Sequence, residues 1–255
     1  MTSARRAPVE LFFVETSHLA PADMEAFATP LDAAERARAA RLPPLAQRDF
    51  VVAHGLARFA LSRFRAQRPP PDWRFRQGPQ GKPMPEDAGP LDFSLSHAEG
   101  LAVVAVSGCG AVGVDGEAVV AARASAQTAA LLSGARELAA WTSLEGAART
   151  ALFFALWTLK ESLLKAAGCG LAGDPRSICC ALDPLRVVRH SLPARGQWMS
   201  WSMPLAGGFH IALSLDACAL PHSLRAVPVR RPAELTAAGA APADGLRLTP
   251  IPHRA

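Results

Sequence analysis

The first chemistry in this chain is an acid and a base one helical turn apart. Glu161 and Lys165 lie in the run WTLKESLLKAAGCGL, residues 157–171, and Trp157 stands four positions before Glu161. Residues four apart share a helix face, so the three form one stripe. A surface ion pair at this spacing contributes only about 0.2–0.5 kcal/mol to a helix and is the commoner meaning of the pattern. Trp157 argues for more, because a large apolar ring is out of place on a solvated face, and the stripe reads as the wall of a site. Two further acids, Asp115 and Glu117, flank Gly116 after the apolar run Ala111 to Val114. On a strand both carboxylates point the same way, roughly 6.5–7 Å apart along the backbone, and can reach one ion. Two solvated acids at a strand end would look the same, and a third carboxylate is needed to decide between them.

The elements that must position these groups can be read around them. Leu152, Leu156, Leu159, Leu163 and Ala167 recur at spacings of three and four, the stripe of a helix packed on one side, and Gly168 with Gly170 ends it. Upstream, a strand is expected at Leu11 to Val14 and helices over Leu31 to Arg41 and Ala46 to Arg65, separated by Pro43 and Pro44. A short extended piece, Trp73 to Arg76, precedes the turn-rich GPQGKP of Gly78 to Pro83. Leu91 to Leu95 and Leu101 to Val106 read as a hairpin around SHAEG, Ser96 to Gly100. Helical sequence is expected from Ala118 to Leu131 and again near Arg136 to Leu138. Strands follow at Ser177 to Leu182, Val187 to Arg189, Trp198 to Met203 and Phe209 to Leu215. GLAVVAVS, residues 100–107, and GFHIALSL, residues 208–215, share a pattern, which hints at internal duplication. From Pro221 the composition shifts to Ala, Pro, Arg and Gly. From Thr236 few groups can be buried, so the last twenty or so residues are expected to be mobile.

With 50% hydrophobic and 19% charged residues in 255, the chain can bury a full core as one large or two small domains. The net charge of +5 comes mainly from arginines spread along the chain, which suits an anionic partner but not nucleic acid. Five cysteines, without a C-x-x-C pair or His at zinc-ligand spacing, fit reduced thiols and a cytoplasmic protein. No run approaches the roughly 18 apolar residues of a membrane span, and Leu11 to Val14 is too short for a signal peptide. Lys82 is followed by Pro83, which excludes a P-loop. Ser96 and His97 are adjacent and no G-x-S-x-G elbow is present, which disfavours a serine hydrolase. A metal-dependent phosphodiesterase or nuclease is disfavoured for want of further His ligands or the makings of a second metal site.

Taken in order, SLSHAEG, GVDGE and WTLKESLLKAAGCGL resemble the Sfp-type 4′-phosphopantetheinyl transferases, over about Leu11 to Leu235. The resemblance implies an α/β (α+β) protein of two pseudo-twofold-related halves, each a small sheet packed with helices, with the active site in the cleft between them. The expected division is 1–110, 111–220 and a C-terminal extension, 221–255. The implied activity is that of a holo-[carrier-protein] synthase: the phosphopantetheine arm moves from coenzyme A to a serine of an apo acyl or peptidyl carrier protein, releasing adenosine 3′,5′-bisphosphate. Asp115, Glu117 and Glu161 match the family's Mg²⁺ ligands. Glu161 and Lys165 match its catalytic pair, as orienter or base for the serine and as partner of the departing phosphate. Lys82, Ser96, His97, Trp157 and Lys160 fall to coenzyme A, and Arg36 and Arg48 to its 3′-phosphate, although Arg38 and Arg41 would serve as well. Glu137 aligns with an acidic position between the motifs. A monomer is expected. A relative that binds coenzyme A or a carrier without turnover is the alternative. Two departures stand out: Gly116, where the family has an aliphatic residue, and Ser162, where Ala is frequent. A regular strand at Gly116 would leave a gap that Val should fill, whereas a positive-φ bulge re-aiming Glu117 would make Val strongly unfavourable.

Overall fold

The computed structural model describes residues 8–78, 80–218, 223–236 and 248–253. The chain runs twice through one plan. The first pass is strand β1 (Val9–Glu15), helices α1 (Pro21–Ala28), α2 (Ala33–Ala39) and α3 (Pro44–Phe64), a ribbon of β2 (Phe75–Gln77) and β3 (Pro83–Pro85), then a hairpin of β4 (Asp92–Ala98) and β5 (Leu101–Ser107). The second is β6 (Gly110–Ala118), helices α4 (Ala126–Leu132), α5 (Ala135–Thr142) and α6 (Gly146–Ala167), a ribbon of β7 (Cys179–Leu182) and β8 (Leu185–Arg189), and the hairpin β9 (Gln197–Leu205) and β10 (Phe209–Ala217). The sheets confirm the correspondence: β1-β5-β4 in one and β6-β10-β9 in the other. GLAVVAVS and GFHIALSL are the matching strands β5 and β10, so the weak duplication in sequence is a duplication in fold.

Burial explains the layers. Fully buried strands lose period-two alternation, and β5 and β10 are buried at every position. Val9, Leu11, Phe13, Leu101 and Val103 of the first sheet pack against Val112, Val114, Ile211, Leu213 and Leu215 of the second. α3 covers the outer face of the first sheet, packing Leu56, Ala60 and Leu61 with Phe12, Val104 and Phe93. α6 covers the second, packing Leu156, Leu159 and Leu163 with Ala212 and Trp198.

Three expectations are corrected. Ala118 to Leu131 is not one helix: β6 continues through Ala118, a 3₁₀ turn follows at Ala121–Arg123, and α4 starts only after Ser125, whose Oγ accepts from Thr128 N at 3.1 Å. The C-terminal stretch is not a separate extension. β11 (Leu224–Pro228) pairs in parallel with β1, and β12 (Thr249–Ile251) pairs with β9 and buries Ile251. The expected mobility of residues 237–247 lies outside the described residues, but residues 249–251 pair with β9.

The third correction is Gly116. It sits in regular antiparallel register with Ile211, yet a Cβ there would lie 2.9 Å from both Leu101 Cδ2 and Val103 Cγ1. The neighbours on the other sheet have taken the space. Gly116→Val is therefore expected to cost about 1–3 kcal/mol by overpacking, read as a lower urea midpoint. An unchanged or raised midpoint would restore the gap.

Candidate functional site

The two sheets meet edge to edge where β4 faces β6, and side chains replace backbone pairing along that seam. Asp92 Oδ2 accepts from Val112 N at 2.8 Å, Ser94 Oγ from Val114 N at 3.1 Å, and Ser96 Oγ donates to Asp115 Oδ1 at 2.9 Å. The alternation D-F-S-L-S-H, residues 92–97, carries this arrangement. Even positions reach β6, while Phe93 and Leu95 pack with α3. The run is a strand through Ala98 and the turn is only Glu99 and Gly100, so Ser96 and His97 point to opposite faces.

A glycine brings α6 onto β6. A Cβ on Gly113 would stand 2.0 Å from Ser162 O and 2.3 Å from Ala166 N, so only Gly permits this approach. Two residues on, Asp115 meets the helix. Lys165 Nζ donates to Asp115 Oδ1 at 2.6 Å and to Ser96 Oγ at 3.0 Å, closing a triangle between β4, β6 and α6. Glu117 faces Arg123, 2.9 Å from Nη1, and that guanidinium lies 6.0 Å from the Trp157 ring. Trp157, Glu161 and Lys165 are all half-buried, as a site wall requires. No ion pair joins Glu161 to Lys165 among the described residues; Lys165 pairs with Asp115 instead.

Burial, then the charge of Asp115, raises the pKa of both Glu117 and Glu161 above the ordinary carboxylate range. Asp115 Oδ2 is buried without a hydrogen-bond partner. All-oxygen donors, one of them orphaned, and mutual repulsion among the carboxylates fit a hard divalent cation. The sequence reading places Asp115, Glu117 and Glu161 around one ion. In the structure Lys165 and Arg123 meet the charge of the first two, and among the described residues no three Asp, Glu, His or Cys side chains are gathered for ligation.

On the other face of β4, His97 meets α2 and α3. Phe50 stacks on His54 at 3.9 Å and meets the His97 ring edge-on at 6.0 Å, while Arg38 lies 5.1 Å from the Phe50 ring. Burial, with His54 nearby, pushes the His97 pKa down to about 4. Asp49, beside Phe50, accepts from Thr16 Oγ1 and from Gly100 N, fixing the turn that follows His97. Gly100 has φ of +103°, which a side chain would strain. Arg48 Nε is buried without a partner.

α2 is clamped onto α3. Asp32 and Glu35 form a capping box, and Glu35 also receives Arg58 at 2.8 Å and His54 at 2.8 Å. Burial opposes the Glu35 carboxylate, but the His54 hydrogen bond and the Arg58 charge outweigh it and pull its pKa down to about 2. The folded-state value is below the unfolded one, so the clamp stabilises fully above pH 4.5 and is lost as pH falls towards 2. Glu35→Gln is expected to lower Tm by a few degrees at neutral pH and to flatten the acid limb of Tm against pH. A parallel acid limb in the variant would sink this.

Three assigned residues are occupied elsewhere. Lys160 is fully buried and donates to Glu137 Oε2 at 2.6 Å and to Leu132 O at 2.8 Å. Glu137 in turn accepts from Cys180 N and Gly134 N, so both are structural pins of α5, α6 and β7. Arg36 donates to Leu31 O and Thr29 O, capping the turn before its own helix. Lys82 donates to Asp92 and to Val112 O at the base of the seam. Arg123, Gly113, Asp92 and Ser94 are the site residues to which sequence reasoning gave no role; Gly113 opens the GVDGE motif and the 92–97 alternation could have signalled Asp92 and Ser94, while nothing pointed to Arg123.

The profile of the 4′-phosphopantetheinyl transferase superfamily matches residues 111–213, which include β6, α6 and the three carboxylates. The match is confined to that segment, less than half of the chain. Two relatives agree. A Synechocystis sp. protein provisionally named a 4′-phosphopantetheinyl transferase, slr0495, is 35% identical over 106 residues, 41% of this chain and 43% of its own length. The 4′-phosphopantetheinyl transferase HetI of Nostoc sp. is 31% identical over 153 residues, 58% of this chain and 64% of its own length. The chain thus spans less than two thirds of either relative. The matched segment lies within the second pass of the fold, and the mixed α/β architecture of two similar halves agrees with the resemblance read from sequence. Among the described residues no helix is long and apolar enough to cross a membrane.

Proposed function

We propose that the protein transfers the 4′-phosphopantetheine arm of coenzyme A to a serine of an apo carrier protein and releases adenosine 3′,5′-bisphosphate. The observation that carries this reading is the junction at the seam. Ser96 from the first half is hydrogen-bonded there to Asp115 and Lys165 from the second, with Glu117 and Glu161 near enough to feel the charge of Asp115, and these four residues of the second half fall inside the matched segment.

Phosphoryl transfer of this kind is positioning and charge neutralisation more than covalent chemistry. Asp115, Glu117 and Glu161 would hold a magnesium ion, which when bound supplies positive charge at the pyrophosphate. The half-buried Glu161, its pKa raised, is suited to accept the proton of the incoming serine hydroxyl. The serine oxygen forms a bond to the phosphorus of the pantetheine phosphate, and the bond from that phosphorus to the bridging oxygen breaks. Lys165, held by Asp115 and Ser96, is placed to donate to the departing phosphate. The Arg38, Phe50, His54 and His97 wall, with the free Nε of Arg48, takes the nucleotide end. Guanidinium groups bind phosphate through paired hydrogen bonds. Lys160 leaves this list because its buried ammonium is held by Glu137 and Leu132 O, while Arg36 spends Nε and Nη2 on Leu31 O and Thr29 O and keeps Nη1 for a phosphate.

Mass spectrometry of apo carrier proteins after incubation with the protein, Mg²⁺ and coenzyme A tests the reading. One added phosphopantetheine per carrier serine is expected. Binding of coenzyme A with no modification of any carrier would favour the non-catalytic alternative.

A further inference from the structure

Two hydrogen-bonded threads tie α6 to the sheet beneath it. In the first, Thr158 Oγ1 lies 2.9 Å from His210 Nδ1, and His210 Nε2 lies 3.1 Å from Ser202 Oγ. In the second, Ser162 Oγ is 2.7 Å from Ser214 Oγ, Ser214 Oγ is 2.8 Å from Ser200 Oγ, and Ser200 Oγ is 2.9 Å from His253 Nε2. The second thread begins at the residue after Glu161 and ends two residues past β12. Its three serines are buried.

The direction of this thread follows from proton counting. Each hydroxyl has one proton to donate. Ser162 gives its proton to Leu159 O at 2.8 Å, a carbonyl that can only accept. Ser214 must then donate to Ser162, and Ser200 to Ser214. Ser200 has no proton left, so His253 must donate from Nε2, and Nδ1, which is buried without a partner, carries no proton. The thread therefore requires a donor at its far end, and β12 delivers it. Val187 N donates to Pro252 O at 2.9 Å, holding residue 253 in place.

We infer that His253 is a positioning residue for Glu161: docked by β12, it donates the last hydrogen bond of a buried chain that fixes the turn of α6 carrying the carboxylate. Loss of that donor leaves a buried hydroxyl short of a partner and frees the helix to shift on a polar, loosely specified contact. The inference rests on the proposed role of Glu161, but the tether itself does not.

The test uses His253→Gln, His253→Leu and Ser200→Ala in the full chain. Gln keeps an N–H donor at the distance of Nε2; Leu and the Ser200 variant break the thread at different links. Transfer kinetics, hydrogen exchange of α6 amides and the nitrogen NMR signature of His253 are measured. His253→Leu and Ser200→Ala are expected to lower kcat about 10- to 100-fold with KM for coenzyme A unchanged, and to speed exchange in the turn from Leu159 to Leu163. His253→Gln should retain most of the rate and protection, and parent His253 should show the Nε2–H tautomer. Parent-like kcat and exchange in His253→Leu, equal damage in His253→Gln, or an Nδ1–H tautomer would each overturn the inference. If the parent transfers nothing, the exchange and tautomer results still decide the tether, and only the functional reading falls.

Discussion

Glu161→Gln is expected to remove transfer while leaving the protein folded. The change keeps the shape of the side chain and deletes its charge. A base that takes the serine proton contributes on the order of 10²–10⁴-fold, and the same residue is a proposed magnesium ligand, so the rate should fall by about 10³-fold or more. Stability should move the other way, if at all. Burial and the charge of Asp115 both disfavour the ionised Glu161, so a neutral amide relieves an unfavourable charge at pH 7. The expected pattern is an unchanged or slightly higher Tm, loss of kcat at saturating Mg²⁺, and preserved affinity for coenzyme A, whose nucleotide end is proposed to lie on the first half. Near-normal turnover would end the assignment of this carboxylate to the chemistry. Asp115→Asn is a less clean probe, because Lys165 and Ser96 both lean on that carboxylate and would be left with a weaker partner.

The second large effect is on stability, at a residue that sequence assigned to the cosubstrate. Lys160→Met is expected to destabilise the protein by about 3–5 kcal/mol, because it leaves Glu137 as an uncompensated charge in the core. Leu132 O loses its donor as well. Lys160→Met combined with Glu137→Gln should cost less than the single change, since the orphaned charge is gone while an acceptor for Cys180 N remains. Urea unfolding of the three variants measures this directly. Where Lys160→Met is still folded, its KM for coenzyme A should match that of the parent. A raised KM with an unaltered unfolding midpoint would return Lys160 to the binding site and refute the structural role.

Sequence alone determined a good deal. The helix from Leu152 to Ala167, the half-buried stripe of Trp157, Glu161 and Lys165, and the strand bearing Asp115 and Glu117 all follow from periodicity, because residue spacing sets which side chains share a face. The duplication was legible in two matching apolar runs, and the resemblance to the transferases in three motifs. What those rules cannot supply is distance between faces far apart in the chain. Nothing in the spacing of Lys160 says that its ammonium meets Glu137 rather than a phosphate; adjacent residues on a helix point about 100° apart, and only the packing of α5 decides which of Lys160 and Glu161 faces the seam. Gly116 looked like a gap because its own strand has room on that face. The side chains that fill the space, Leu101 and Val103, come from the other sheet. The stretch after Thr236 looked mobile because few of its groups can be buried, yet three residues of strand and one histidine dock where the edge of β9 and a buried serine chain need partners. Local pattern chose the elements, and the meeting of two sheets and two long helices chose which polar atoms are spent on structure and which are left for chemistry.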